Sequence, residues 1–208
     1  MILLCQRLGP WVAVAATGLV GAITVAVVRR EPGLSLAGDS GAALAVELLA
    51  AVLLTAAAAA TWRGGGAFPV LLASTALAWL VSEWNTPVAG VVAFTLGLLL
   101  YAAWPPLLAA AALRGLDERR LDRPDAALLT LAFGSGVGIL GLASAAVYDP
   151  AAQGCSACPT NLLLVADAPG LWHSLGQVGL VLTAAWTAGF ALLALARTLL
   201  ASPARRRW

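Results

Sequence analysis

Six apolar runs of membrane-spanning length constrain this sequence of 208 residues more than any other feature. A helix rises about 1.5 Å per residue, so roughly 20 apolar residues cross a hydrocarbon core of about 30 Å. The runs are continuous and rich in Ala and Leu, which favours helices over strands. We expect an all-α polytopic membrane helix bundle that forms a single integral membrane domain over residues 1–208. Its expected transmembrane helices are 10–28, 42–62, 67–81, 88–113, 126–147 and 178–196.

The composition agrees with a lipid environment. Hydrophobic residues make up 61% of the chain and charged residues 11%, whereas a soluble domain is nearer about half and about a quarter. The first apolar run is too long for a typical signal-peptide core, and we expect it to be retained as a span. The expected partner is therefore the lipid bilayer and the expected location the cell membrane, with no nucleic acid bound.

The distribution of arginines predicts the orientation. If both termini are cytoplasmic, ten of the twelve basic residues lie inside, and Arg29 and Arg30 lie outside. Such an excess is typical of the cytoplasmic loops of membrane proteins. The expected exterior loop, 148–177, contains no Arg or Lys, which agrees with export. The ten inner residues are Arg7, Arg63, Arg114, Arg119, Arg120, Arg123, Arg197 and Arg205 to Arg207.

The inner side offers little chemistry. Its longest link, Arg114 to Asp125, carries charges of both signs at helical spacing, and we interpret it as a solvated connector that sets the topology. The sequence shows no phosphate-binding glycine loop, no metal-ligand cluster and no nucleophile beside a base. We therefore expect no catalytic residue, no metal, no cofactor and no enzyme activity in this chain.

Polar residues gather on the predicted outer side. Glu47 lies inside the second span, where an ionisable group is costly and usually faces a cavity. We expect a ligand- or signal-sensing pocket at the outer helix ends, formed by Glu47, Glu83, Trp84, Asn85 and Asp149. The alternative is that Glu47 reaches the head groups and Glu83 simply ends a helix.

Cys155 and Cys158 leave three alternatives open. They form a structural disulfide in an oxidising compartment, a redox-active pair with a lowered thiol pKa, or half of a metal site, which needs further ligands. His173 is a candidate third ligand, and also a candidate for pH sensing because its ordinary pKa is near neutral. We expect Leu162 to Gln177 to form a short interfacial helix that Pro169 and Gly170 interrupt before the last span.

Small residues and prolines predict how the spans pack. Gly134, Gly136, Gly138 and Gly141, with Gly18 and Gly21, are expected to face neighbouring helices, because small residues allow backbones to approach closely in lipid. Such faces also allow a homodimer. Pro105 and Pro106 should kink or break the fourth span towards its inner side.

Three segments resemble the membrane-embedded input region of actinobacterial sensor histidine kinases. They are Glu83 to Pro87, Phe94 to Leu107, and Asp149 to Val165 with its Cys155-x-x-Cys158-Pro159 core. The ending, Ser202 to Arg207, is similar to the point where such proteins continue towards further membrane and kinase regions. The resemblance covers about positions 80 to 207.

This resemblance implies a receiver of extracytoplasmic signals that is coupled to a cytoplasmic kinase region or response regulator. The chain departs from the family pattern because it has no phospho-acceptor His in a dimerisation helix and no ATP-binding boxes, and His173 lies on the wrong side. We expect the sensor part alone, as a fragment or a truncated gene product.

Two other functions remain as alternatives. The first is a membrane thiol-redox protein that uses Cys155 and Cys158, although a second cysteine pair is missing and Cys5 lies on the opposite side. The second is a small transporter or transporter subunit, favoured by Glu47 and the proline-interrupted span, although no inverted repeat is visible.

Overall fold

The computed structural model of the chain describes residues 2–31, 38, 40–115 and 120–200, with side chains from residue 8 to residue 199 within those ranges. Every regular element in these ranges is helical, which confirms the all-α class. Part of the predicted inner connector, including Arg119, lies outside the described residues. So do Arg205 to Arg207 and the rest of the C-terminal segment that carried part of the resemblance.

Within the described residues, eight α-helices and a π-helical segment follow one another. A 3₁₀ turn, Trp62–Gly64, follows α2, and a second one, Ser82–Trp84, follows α3. The bounds are α1 Ile2–Arg30, α2 Gly41–Thr61, α3 Phe68–Val81, α4 Val91–Leu100, α5 Trp104–Arg114, α6 Arg123–Phe133, the π segment Gly134–Ala143, α7 Ser144–Val147 and α8 Pro169–Leu200.

Four of these helical stretches are long and apolar enough to cross a membrane. They are Leu8–Arg30, Gly41–Thr61, Arg123–Val147 and Pro169–Leu199. The bent pair α4 and α5 makes a fifth if it is one span, and Phe68–Trp84 is a shorter apolar helix. Large apolar side chains stay exposed on α2 and α8, such as Leu53 at 60% and Val181 at 68%. Such exposure suits lipid better than water.

The fourth predicted span breaks earlier than its prolines suggest. Helix α4 ends at Leu100, and α5 begins at Trp104 with a bend of 52° between them. Pro105 and Pro106 have no N–H, so the carbonyls of Tyr101 and Ala102, four residues earlier, lose their helical donor. The break therefore falls at residues 101–103, and the prolines lie in the first turn of α5, where they are tolerated.

The π segment packs directly on this break. A Cβ added to Gly136 would lie 2.5 Å from the Ala102 carbonyl oxygen, and one on Gly141 would lie closer still to that of Leu99. The Ser144 hydroxyl donates to the Ile139 carbonyl at 2.9 Å, five residues back. The predicted glycine packing is thus confirmed at Gly136 and Gly141. Gly18 and Gly134 have nothing within 4 Å of an added Cβ.

The last span begins earlier in the structure than its predicted start at residue 178. Helix α8 runs without interruption from Pro169 to Leu200, so the expected interfacial helix over Leu162 to Gln177 is wrong. Residues 161–168 are non-helical, and Pro169 begins the helix instead of breaking one. Proline suits a first helical position because the N–H that it lacks would have no helical partner there.

Successive membrane-length stretches run in opposite directions, so the bundle has two distinct ends. Gly9 and Gly21 of α1 lie beside Trp62 and Leu48, and Gly179 and Gly189 of α8 lie beside Leu140 and Leu128. The disulfide end contains the C-terminus of α3, the N-terminus of α4, and residues 148–168. A buried cluster there includes Val81, Trp84, Phe94, Leu98 and Ala145. The Asp125 end contains the start of α6 and the end of α8, and Ala58, Leu72 and Ala111 are buried in the half of the bundle towards it.

Candidate functional site

Residues 148–168, which we call the cap, cover the helix ends at the disulfide end of the bundle. The Asn161 side-chain amide donates to the carbonyls of Ala145 at 2.6 Å and Tyr148 at 2.9 Å. Its own carbonyl oxygen accepts from Leu163 N at 3.0 Å. Asn161 is 7% exposed, so these bonds hold buried backbone groups that would be costly to leave unpaired. The amide thereby fixes the cap to the end of α7.

The cap also binds α4. Leu162 N donates to the Thr95 hydroxyl at 3.1 Å, and this hydroxyl donates to the Val91 carbonyl within α4. Two residues on, a Cβ added to Gly97 would lie 2.7 Å from Asn85 N. The absence of a side chain at Gly97 thus lets α4 contact the Trp84–Asn85 backbone. The segments that carried the family resemblance meet here as one packed unit.

Trp84 anchors this unit to α1. Its indole Nε1 donates to the Thr24 hydroxyl at 2.9 Å. That hydroxyl in turn lies 3.0 Å from the Val20 carbonyl and 3.2 Å from the Leu80 carbonyl, either of which can accept its proton. Trp84 is buried in the apolar cluster of the disulfide end. The structure therefore places this predicted site residue in a packing role.

Cys155 and Cys158 form a disulfide, with their Cα atoms 5.4 Å apart. Cys158 packs against the buried cluster of the disulfide end. The bonded sulfurs are not thiolates, so they do not offer the ligands that a zinc site would need. Among the described residues, no three His, Cys, Asp or Glu side chains group as metal ligands.

Glu47 and Glu83 lie on neighbouring helical elements. The two carboxyl groups are close enough to interact electrostatically, and Glu83 is 8% exposed. Trp79 Nε1 donates to the Glu47 backbone carbonyl at 3.2 Å, which ties α3 to α2 at this level. These two predicted residues thus lie together on the α2–α3 side of the bundle.

Asn85 instead lines a cavity of about 220 Å³ on the other side of the disulfide end. This cavity lies between the α4–α5 break, the π segment and the first turns of α8. Three aromatic residues that the sequence did not single out line it with Asn85, namely Tyr101, Tyr148 and Trp172. The rings of Tyr148 and Trp172 are 5.1 Å apart.

Asp149 and His173 flank this cavity in sequence but make local bonds. Asp149 Oδ1 accepts from Ala151 N at 3.0 Å, as in an Asx turn. His173 is exposed on α8, with its Nε2 3.3 Å from Gln177 Nε2. Burial and the Asp149 carboxylate raise the pKa of Tyr148 above its ordinary value, so its phenol stays protonated at neutral pH.

A buried ion pair lies at the opposite end of the bundle. Arg197 on α8 donates to Asp125 on α6 at 2.7 Å, and the Asp125 side chain is fully buried. Asp125 Oδ2 also accepts from Asp122 N at 3.3 Å. The interpretation of this segment as a solvated connector is therefore wrong at Asp125, which joins the beginning of α6 to the end of α8.

Comparison with known proteins gives no relative: no family model, curated protein or solved structure matches this chain.

Proposed function

We propose that this chain is a membrane-embedded signal-input module with six passes and both termini in the cytoplasm. The fifth and sixth passes are the bent α4–α5 pair and Phe68–Trp84. The alternating helix directions bring Arg63, Arg114, Arg123 and Arg197 towards the Asp125 end, and the cap, which has no Arg or Lys, lies at the other. This asymmetry supports a cytoplasmic Asp125 end and an exported cap.

The observation that carries this proposal is a continuous route between the two ends. The cap is hydrogen-bonded to α4 through Thr95 and to the end of α7 through Asn161. Helix α6, the π segment and α7 form one uninterrupted stretch from Arg123 to Val147. Its far end is held to α8 by Asp125 and Arg197. A displacement of the cap can therefore bias the Asp125 end, which is what a two-state input module requires.

The close packing of the α4–α5 break favours signal input over transport. Broken helices in transporters expose their backbone carbonyls to a solute or ion. Here the carbonyls of Leu99 and Ala102 face Gly141 and Gly136 so closely that even a methyl group would not fit between them. The break thus serves helix packing in this bundle.

The disulfide supports the same function by fixing the turn that leads to Asn161. Thiol exchange remains the second candidate, because the side chains of Cys155 and Cys158 are partly exposed at the surface of the cap. The coupling of the module to a kinase region or response regulator follows from the sequence resemblance alone.

We expect Asn161→Ala to change the geometry of the Asp125 end. Loss of the amide removes the Asn161 donor from the Tyr148 carbonyl and leaves the Ala145 carbonyl with only the longer bond from Tyr148 N at 3.4 Å. The cost of about 1–3 kcal/mol should loosen the cap from α7. The measurement is the distance distribution between spin labels at Arg63 and Leu195, two exposed positions, in nanodiscs. A Cys5→Ser background leaves only the bonded cysteines, which do not react with the label.

Gln153→Ala is the matched control, since Gln153 is an exposed cap residue. The proposal predicts a shifted or broadened distribution for Asn161→Ala and an unchanged one for Gln153→Ala. If Asn161→Ala does not fold, replacement of both Cys155 and Cys158 by serine provides a second perturbation of the cap, because it removes the disulfide without a reductant. Identical distributions in all folded states would remove the signal-input proposal.

A further inference from the structure

The cavity beside Asn85 is partly open and is lined by three aromatic residues near the disulfide end. Its volume of about 220 Å³ equals roughly seven water molecules at about 30 Å³ each. Leu98 and Leu140 form apolar parts of its wall, and Asn85, Ser144 and the two tyrosines supply polar atoms. The space is therefore suited to a small ligand with a compact head group.

Three aromatic rings from distant parts of the sequence surround this space. Tyr101 lies at the helix break, Tyr148 follows α7, and Trp172 lies in the first turns of α8. The rings of Tyr148 and Trp172 are tilted by 34° to each other, nearer to a stacked than to a perpendicular arrangement, and both border the cavity. Aromatic faces attract cations through the ring quadrupole, and several rings together are the usual site for ammonium groups.

The charges near the cavity favour a cationic ligand over an anionic one. Residues 148–177 contain Asp149 and Asp167 but no Arg or Lys. Asp149 directly follows Tyr148 and acts on its phenol electrostatically. The first turns of α8 carry one titratable side chain, that of His173, and it is exposed. The arginines at this end, Arg29 and Arg30, belong to α1, which packs on α2, α3 and the Ser82–Trp84 turn and contributes no residue to the cavity wall.

We propose that this cavity binds a small organic cation of the alkylammonium class, held by Tyr101, Tyr148 and Trp172 with Asn85 at its rim. This inference deepens the signal-input function, because the cavity touches both the end of α7 and the α4–α5 break. A cation in it would bridge the elements that the cap holds together.

The test uses choline as the probe and its neutral isostere, 3,3-dimethylbutanol, as the chemical control. Binding to the full-length protein in maltoside detergent is measured by titration calorimetry at constant ionic strength. We expect choline to bind and the isostere to bind much more weakly. Equal binding of the two, or no binding of choline and of tetramethylammonium, would overturn the proposal.

Substitutions locate the binding site. Trp172→Leu should weaken choline binding about 2- to 30-fold, the range that cation–π contacts span. Trp172→Phe should recover most of the affinity, because it keeps an aromatic face. Tyr101→Leu is the second variant if Trp172→Leu does not fold. Trp11→Leu is the control, since Trp11 is 72% exposed on α1; the same affinity in Trp172→Leu and Trp11→Leu would place the cation elsewhere and overturn the proposal.

Two sources of the cation are distinguished by lipid composition. If the ligand is a choline head group of a lipid, nanodiscs of phosphatidylcholine should compete with free choline, and nanodiscs of phosphatidylglycerol should not. If the ligand is a free solute, the affinity of the protein for free choline should be the same in both kinds of nanodisc. If choline binds but Asn161→Ala leaves the label distances unchanged, the cation site stands and the signal-input function is removed.

Discussion

Gly136→Ala and Gly141→Ala should each lower the thermal stability of the protein substantially. An added Cβ would meet the backbone carbonyl oxygen of Ala102 or of Leu99 at a distance that real Cβ atoms do not show. Backbone atoms at a helix break cannot move aside as a flexible side chain can. Overpacking of this kind costs about 1–3 kcal/mol or more. The measurement is the unfolding midpoint in a mild detergent, followed by circular dichroism.

The same π segment offers matched controls. Gly134 has nothing within 4 Å of an added Cβ, and Gly138 has one ordinary contact at 3.8 Å. Alanine at these two positions should be neutral or slightly stabilising, because it replaces the residue with the greatest backbone freedom. Equal losses at all four positions would mean that the α4–α5 break does not pack on Gly136 and Gly141.

The buried ion pair gives the second large effect. Arg197→Met removes the guanidinium that donates to the fully buried Asp125 carboxylate, and loss of one partner of a buried pair costs about 3–5 kcal/mol. Asp125→Asn should cost less, because the guanidinium that remains is 32% exposed and can be hydrated. The double variant should be more stable than Arg197→Met alone, since it also removes the buried charge that Arg197 neutralises.

The measurement is again the unfolding midpoint, now for the four members of this double-mutant cycle. Arg123→Gln is the control, because Arg123 begins the same helix but is exposed. The ion-pair interpretation would be contradicted if Arg197→Met lowered the unfolding midpoint no more than Arg123→Gln does. It would also be contradicted if the double variant lowered the midpoint by the sum of the two single losses.

Hydropathy predicts the helices of this chain because lipid requires every backbone polar group to be bonded internally. The predicted span 67–81 and helix α3, Phe68–Val81, differ by one residue at the start. The position of the α4–α5 break was not predicted, because the consequence of Pro105 and Pro106 appears four residues before them, at the carbonyls that lose their donors.

The start of α8 was missed because Asp167 and His173 suggested an interfacial segment. Pro169 was the available signal, since proline is favoured at the first position of a helix. Helix α8 has 32 residues, which corresponds to about 48 Å at 1.5 Å per residue. This length exceeds the hydrocarbon core, so its first turns can carry Trp172 and His173 beyond it.

The candidate site was predicted in part. Asn85 lines the cavity and Cys155 and Cys158 are bonded, but the sequence did not indicate Tyr101, Tyr148 and Trp172, since they are far apart along the chain. The bend after α4 places Tyr101 at the cavity, and the packing of α7 on α8 brings Tyr148 beside Trp172. The chain has two tyrosines, and both are at ends of helical stretches. The position of both tyrosines at the ends of helical stretches is the sequence feature that could have indicated them. Nothing local in the sequence predicted that Asp125 would be buried against Arg197, 72 residues away.

The orientation of the chain in the membrane is the central claim, because signal input requires the cap outside and the Asp125 end inside. Single cysteines at Ala151 and Arg120, both exposed, test it in a Cys5→Ser background with the disulfide intact. A membrane-impermeant maleimide applied to intact cells should label the cysteine at 151, and should label that at 120 only after the cells are permeabilised. Labelling of position 120 in intact cells, with position 151 protected, would contradict the account.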